Sequence, residues 1–119
     1  MELINIANQM QDLINDLSKL RLSLRVFGAQ KAEAISNYER SIAKTIIQLK
    51  NGVKFDLDGE EIINPPTTIT DKIARGICWQ EKLKAEETET TYKSLIVNIE
   101  VIKSQLNALQ SINRNLESN

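Results

Sequence analysis

The amino-acid sequence predicts an all-α fold, a long antiparallel helical hairpin that is coiled-coil-like and carries a short β-hairpin or loop at its tip. Two observations predict this fold. Apolar residues recur at alternating steps of three and four in both halves of the 119-residue chain, which is the spacing of helices packed lengthwise. The central stretch "VKFDLDGEEIINPPTTITD", residues 53–71, interrupts that spacing with turn-forming residues. We expect one domain over residues 1–119.

The first helix is predicted over about residues 2–50. Its apolar seam keeps the heptad spacing without a break up to Phe27, and after Gly28 the apolar set moves to a new phase, which indicates a stutter. Asn51-Gly52 supplies a stop signal at the C-terminal end. The seam consists of Leu3, Ile6, Met10, Leu13, Leu17, Leu20, Leu24 and Phe27, followed by Ile35, Tyr38, Ile42, Ile46 and Leu49.

The second helix is predicted over about residues 67–117. Pro65-Pro66 can precede a helix but cannot continue one, and Thr68 stands in capping-box register with Asp71. The stretch "KAEETETT", residues 84–91, has only Ala85 as an apolar residue, so we expect a phase slip and weak packing there. The seam consists of Ile69, Ile73 and Ile77, then Tyr92, Leu95, Ile99, Ile102, Leu106, Leu109, Asn113 and Leu116.

Antiparallel folding about a centre near residue 58 brings the two seams together. It places Phe27 beside Thr90 and Tyr38 beside Trp79, and it sets the two phase slips at similar heights. Two unrelated helices would have no reason to share that coincidence, so it supports the hairpin.

The segment between the helices, residues 51–66, is predicted to form a small β-hairpin. Apolar and polar residues alternate from Val53, and Asp58-Gly59 is a favoured type I′ turn pair. A two-residue turn would set Asp56 across from Glu61, a like-charge pair that costs stability, whereas a longer loop would avoid it. Calcium binding by the acidic residues here is disfavoured, because the apolar Ile62-Ile63 follows them where an EF-hand loop would still supply ligands.

Composition argues against an enzyme. The chain has no histidine, which removes the usual general base and the commonest metal ligand, and its four glycines are isolated rather than grouped in a phosphate-binding loop. We therefore expect no catalytic residues, no metal and no cofactor. With 15 basic and 16 acidic residues, one cysteine and no apolar run of the roughly 20 residues that a membrane helix needs, we expect a cytoplasmic protein without membrane contact.

A set of apolar residues falls outside the seams. With Leu3 and Tyr92 taken as heptad a positions, these residues occupy outward positions at similar heights of the hairpin. Exposed apolar patches usually mark interfaces, and a two-helix hairpin has a thin core, so we expect a homo-oligomer; scattered surface aliphatics are the alternative. The expected oligomer interface consists of Leu22, Val26, Ile96, Val97 and Val101.

Two clusters are candidate binding sites for a ligand or partner. The first lies around "KIARGICWQEK", where Arg75 and Trp79 are one turn apart and the first helix contributes residues at the same height; arginine beside aromatics can hold a nucleotide or anchor a protein. Simple stacking of Trp79 near the tip is the alternative. The second is the arginine pair of "KLRLSLR", for which salt bridges are the alternative. The residues are Tyr38, Arg40, Lys72, Arg75 and Trp79, and Arg21 and Arg25.

Three segments carry a resemblance to a group of known proteins. They are "NYERSIAKTIIQLKNG" (37–52), "ITDKIARGICWQEKLKAEETETTYKSLI" (69–96) and "IEVIKSQLNALQSINRNLE" (99–117). The chain resembles small helical-hairpin proteins encoded in early regions of Firmicute phages and prophages, often near recombination or single-strand-binding genes. The resemblance implies a cytoplasmic phage accessory protein and carries over no site residue.

Three functions follow as expectations. The first is a non-enzymatic phage-type protein that binds and blocks a host factor, either a defence protein or a small nucleotide signal. The second is a scaffold or accessory of phage DNA recombination or replication, with a recombination protein or DNA as its partner. The third is a purely structural oligomerisation module.

Overall fold

The computed structural model describes residues 2–118 and confirms the predicted fold class. Along the chain, a long helical stretch is followed by a small antiparallel sheet and then by a second helical stretch. A short 3₁₀ turn, Thr67–Ile69, precedes the second stretch. None of the helices in this part of the chain is long and apolar enough to cross a membrane. The elements are α1 Leu3–Lys50, β1 Phe55–Leu57, β2 Glu60–Ile62, α2 Thr70–Ile77 and α3 Trp79–Ser118.

The chain divides into two compact units. The terminal unit contains the residues up to Gly28 and those from Thr90 onward, and the central unit is Ala29–Glu89. These boundaries fall where the sequence predicts a change of phase, just after the first heptad seam of α1 and within residues 84–91 of α3. The change of seam therefore coincides with a change of packing unit.

Apolar heptad residues form the core of the terminal unit. Leu17, Leu95 and Ile99 are buried together. The helices run antiparallel, because residues 9–13 share a groove with residues 105–109, and residues 16–20 share one with residues 98–102. Leu20, Leu24, Phe27 and Ile102 pack around the buried trio.

Gly28 allows a close approach at the upper end of this seam. A Cβ atom at this position would lie 3.3 Å from Cε2 of Tyr92. That distance is tighter than an ordinary van der Waals contact, so the missing side chain lets the tyrosine ring lie against α1.

Small residues form most of the buried seam in the central unit. The hydroxyl of buried Thr88 donates to the carbonyl oxygens of Ala85 and Lys84, at 2.9 and 3.0 Å, so it needs no partner from another element. The sequence pattern predicts weak packing over residues 84–91, but the structure buries both Ala85 and Thr88 there. The buried residues of this unit are Ala34, Thr45, Leu49, Thr70, Ala74, Cys78, Ala85 and Thr88.

The C-terminal end of α1 forms the predicted stop. Gly52 adopts a φ of +81°, a left-handed conformation that glycine takes without steric cost. Its N–H donates to the carbonyl of Leu49, and the N–H of Val53 donates to that of Gln48. This pair of bonds is a Schellman motif and satisfies carbonyls that the helix end leaves open.

The β-hairpin has the two-residue turn that the sequence predicts. Asp58 and Gly59 have φ values of +50° and +86°, as a type I′ turn requires. Asp56 does pair with Glu61, the unfavourable like-charge contact. Lys54 offsets it, because its Nζ lies 2.8 Å from the Glu61 carboxylate. The other face of the hairpin packs on α2, where Leu57 lies 3.6 Å from the Cβ position of Gly76.

Two predicted features of the second helix are wrong. The capping box does not form, because Ile69 rather than Thr68 is the N-cap of α2 and no side chain caps it; the Thr70 hydroxyl donates to the carbonyl of Pro66 at 3.1 Å. The helix is also not continuous, since Cys78 has φ −89° and ψ 27° and separates α2 from α3. The Cys78 N–H still donates to Ala74, and its carbonyl accepts from Lys82, so the chain bends there without losing its hydrogen bonds.

Two glycine substitutions test these local conformations. Gly59→Ala should destabilise the hairpin by about 1 kcal/mol, because a Cβ is unfavourable in the left-handed region even with open space around it. Gly76→Ala, in a helix and with only an ordinary contact to Leu57, should be neutral or stabilising by about 0.5–1 kcal/mol. Amide hydrogen exchange of β1 and β2, with urea unfolding of both variants, measures the effects; equal destabilisation by both would contradict this assignment of the turn.

Candidate functional site

Trp79 is the most exposed large aromatic residue of the central unit. It opens α3 immediately after the bend at Cys78, and half of its side chain, 50%, is exposed. Leu83 lies one helical turn further on, shares its face of α3 and is 47% exposed. The sequence pattern singles out Trp79 but not Leu83, although the spacing of four residues could have indicated the pair.

Buried Cys78 directly precedes exposed Trp79. The cysteine is buried, and its Sγ lies 3.4 Å from the Thr45 hydroxyl of α1 in a hydrogen bond. Trp79 follows it directly and is half exposed, so the indole does not share that buried contact. The burial of Cys78 also keeps its thiol from reagents in solution.

Two of the predicted site residues, Tyr38 and Arg75, line a cavity of about 370 Å³. Trp79 does not line this cavity, and neither do Arg40 and Lys72, both of which are exposed. The predicted cluster is therefore only partly assembled. The lining consists of Ile35, Tyr38, Glu39, Ile42, Arg75, Lys82, Ala85, Glu86 and Glu89.

The charges of this cavity are mixed. Arg75 and Lys82 supply positive charge, while the lining also includes three glutamates. Carboxylates repel phosphate groups, so the cavity is a poor match for a nucleotide. The structure therefore gives the nucleotide interpretation of Tyr38 and Arg75 little electrostatic support.

The predicted oligomer interface lies in the terminal unit as two separate pairs. Leu22 and Val26 are one turn apart on α1 and are 65% and 55% exposed. Val97 and Val101 are one turn apart on α3 and are 56% and 50% exposed. Both pairs lie outside the buried seam, and Val101 also lines a groove that α3 shares with Asp16 and Lys19 of α1. Ile96 is half-buried beside the seam.

Arg21 and Arg25 are exposed on one side of the terminal unit. Asp16 and Lys19 line a groove between the helices. Helical rotation places the two arginines on the side of the unit that faces away from that groove. The ion pair between Lys54 and Glu61 lies in the central unit and does not involve these arginines.

Within residues 2–118, no group of three or more histidine, cysteine, aspartate or glutamate side chains could hold a metal ion. The chain matches no protein-family model, no curated protein and no solved structure.

The opposite burial of Cys78 and Trp79 gives a direct test. In the folded protein a thiol reagent should modify Cys78 orders of magnitude more slowly than in urea, while acrylamide should readily quench the fluorescence of Trp79, the single tryptophan. Thr45→Val removes the hydroxyl that contacts Cys78 and should accelerate labelling without changing quenching. Rapid labelling of the native wild type would contradict this arrangement of the bend.

Proposed function

We propose that this protein is a non-enzymatic accessory protein of phage type that binds a host protein and blocks it. Its contact surface is centred on the exposed pair Trp79 and Leu83 in the central unit. The observation that carries the proposal is the half-exposed indole, since tryptophan is strongly enriched among the residues that dominate binding energy in protein interfaces.

The surroundings of Trp79 support a protein as the partner. Arg75 and Lys82 lie within a turn of it in sequence and can form a polar rim around an apolar centre, as in typical interfaces. A nucleotide signal fits less well, because the nearby cavity combines its two cations with three glutamates. The phage origin is supported by the resemblance of the segment that contains Trp79 and Leu83. A defence protein is therefore the favoured class of target.

Removing the indole should abolish most of the binding. Trp79→Ala should weaken the affinity for the host protein by about 2 kcal/mol or more, roughly 30-fold or greater, as for interface hot spots. The target is first identified by capture from host extract with the wild type, and its affinity is then measured with purified protein by calorimetry. In the wild type the fluorescence of Trp79 should shift to shorter wavelength on binding, because the indole leaves water.

Ile47→Ala is the matched control, since Ile47 is also an exposed aliphatic residue of the central unit but lies on α1. It should leave the affinity unchanged. A target that binds Trp79→Ala as tightly as the wild type, with no fluorescence shift, would refute the proposed surface.

A second candidate function, an accessory role on phage DNA, has one observation in its favour. On the side of the terminal unit opposite the groove of Asp16 and Lys19, helical rotation gathers more cations than carboxylates. DNA binding needs such a one-sided basic surface. The residues on this side are Arg21, Arg25, Lys93, Lys103 and Arg114, with Glu100 and Glu117.

This candidate makes an electrostatic prediction. Affinity for a single-stranded oligonucleotide should fall with salt, and Arg21→Glu and Arg25→Glu should each reduce the magnitude of the negative slope of log K against log salt by about 0.7. Lys44→Glu, an exposed lysine of the central unit, should change neither. Fluorescence anisotropy over a salt series measures both quantities. An affinity that is undetectable at low salt would exclude direct DNA binding.

A further inference from the structure

One exposed face of α3 in the terminal unit carries no charged residue. The face covers about a third of the helix circumference, centred on Val101, and extends for about 30 Å at 1.5 Å per residue. Its side chains are small, polar without charge, or aliphatic, and all are exposed. We call it the uncharged face; it consists of Ser94, Val97, Asn98, Val101, Ser104, Gln105, Ala108, Ile112 and Asn115.

The charges of this part of α3 are confined to other positions. Between residues 90 and 118 every charged side chain lies outside the uncharged face, at heptad position b or e. A solvated helix has no physical reason to keep its charges off one outer sector, whereas a face that packs on another helix must avoid burying them. The charged residues are Lys93, Glu100, Lys103, Arg114 and Glu117.

The uncharged face continues into grooves along the junction with α1. Two cavities of about 460 and 410 Å³ lie there, and they include Ala108 and Val101 among their lining residues. The α1 edge of the grooves carries Asp12, Asp16 and Lys19. The surface is therefore uncharged along α3 and bears both signs of charge along α1.

We infer that the uncharged face packs antiparallel against the same face of a second copy of this chain. A surface without charge meets its own copy without repulsion, and it offers a highly charged partner no complementary group. In an antiparallel pairing about a two-fold axis at the height of Val101, Asp16 of one copy lies near Lys19 of the other, since residues exchange across the axis and both line the groove of Val101. The small residues of the face let the two α3 helices approach closely.

A charge placed on the uncharged face tests the inference. The wild type should have a mass that is a multiple of 13.5 kDa by native mass spectrometry and light scattering over a concentration series. Val101→Glu should raise the dissociation constant at least about 100-fold and leave a folded monomer, because a buried charge without a partner is strongly unfavourable. Gln110→Glu is the matched control, since Gln110 lies on the opposite side of α3, and it should keep the wild-type mass.

A mixture distinguishes a self-contact from any other contact. Val101→Glu and Val101→Lys chains together should associate more tightly than either variant with itself, because the two faces then carry opposite charges. Circular dichroism checks the fold, and Ser104→Glu replaces Val101→Glu if the latter unfolds. A monomeric wild type, a Val101→Glu protein of wild-type mass, or a mixture without recovered association would each overturn the inference. Trp79→Ala should not change the oligomer, so this inference and the proposed function fail separately.

Discussion

The apolar seam between the two helices of the terminal unit is the constraint on which the rest of that unit depends. Leu17, Leu95 and Ile99 are buried there, and the heptad residues around them use the one stripe that each helix can bury against the other. Side chains outside that stripe must be compatible with water or be covered by another molecule. The charged sector of α3 meets the first condition. The uncharged face, with Val97 and Val101 about half exposed, meets it poorly, and this contrast within one helix identifies the face.

The central unit solves the same problem with different side chains. Its buried positions are mostly alanine, threonine and cysteine, and the threonine hydroxyls are bonded locally or to Cys78, so burying them leaves no polar group without a partner. Small residues bring helices close together and leave little room for an indole between them. Trp79 follows buried Cys78 directly and lies at the surface. Its exposure is thus a consequence of the packing of the small residues beside it.

The sequence predicts the helices and turns better than the local departures from regular structure. Apolar heptads, Asn51-Gly52 and Asp58-Gly59 each have a strong and specific signal, and the helices, the Schellman motif and the type I′ turn follow them. The bend at Cys78 has no such signal, and the capping box fails because Ile69, one residue after Thr68, is the N-cap of α2. A search for apolar side chains does not find the buried seam of small residues in the central unit. For the site, sequence identifies Trp79 and the two valines of α3, but their surroundings depend on helical rotation at the bend and in the seam.

The two surfaces differ in the kind of recognition that they can support. An exposed tryptophan beside Arg75 and Lys82 offers a large apolar anchor with directional polar neighbours, which suits a partner with a complementary pocket and discriminates among proteins. The uncharged face lacks such groups, so it cannot select an unlike partner by charge, but it can meet itself at no electrostatic cost. Self-association through α3 would also present more than one copy of Trp79 at a time. Two anchors held together bind a multivalent target more tightly than either alone, so moderate affinity at each indole would suffice to block a host assembly.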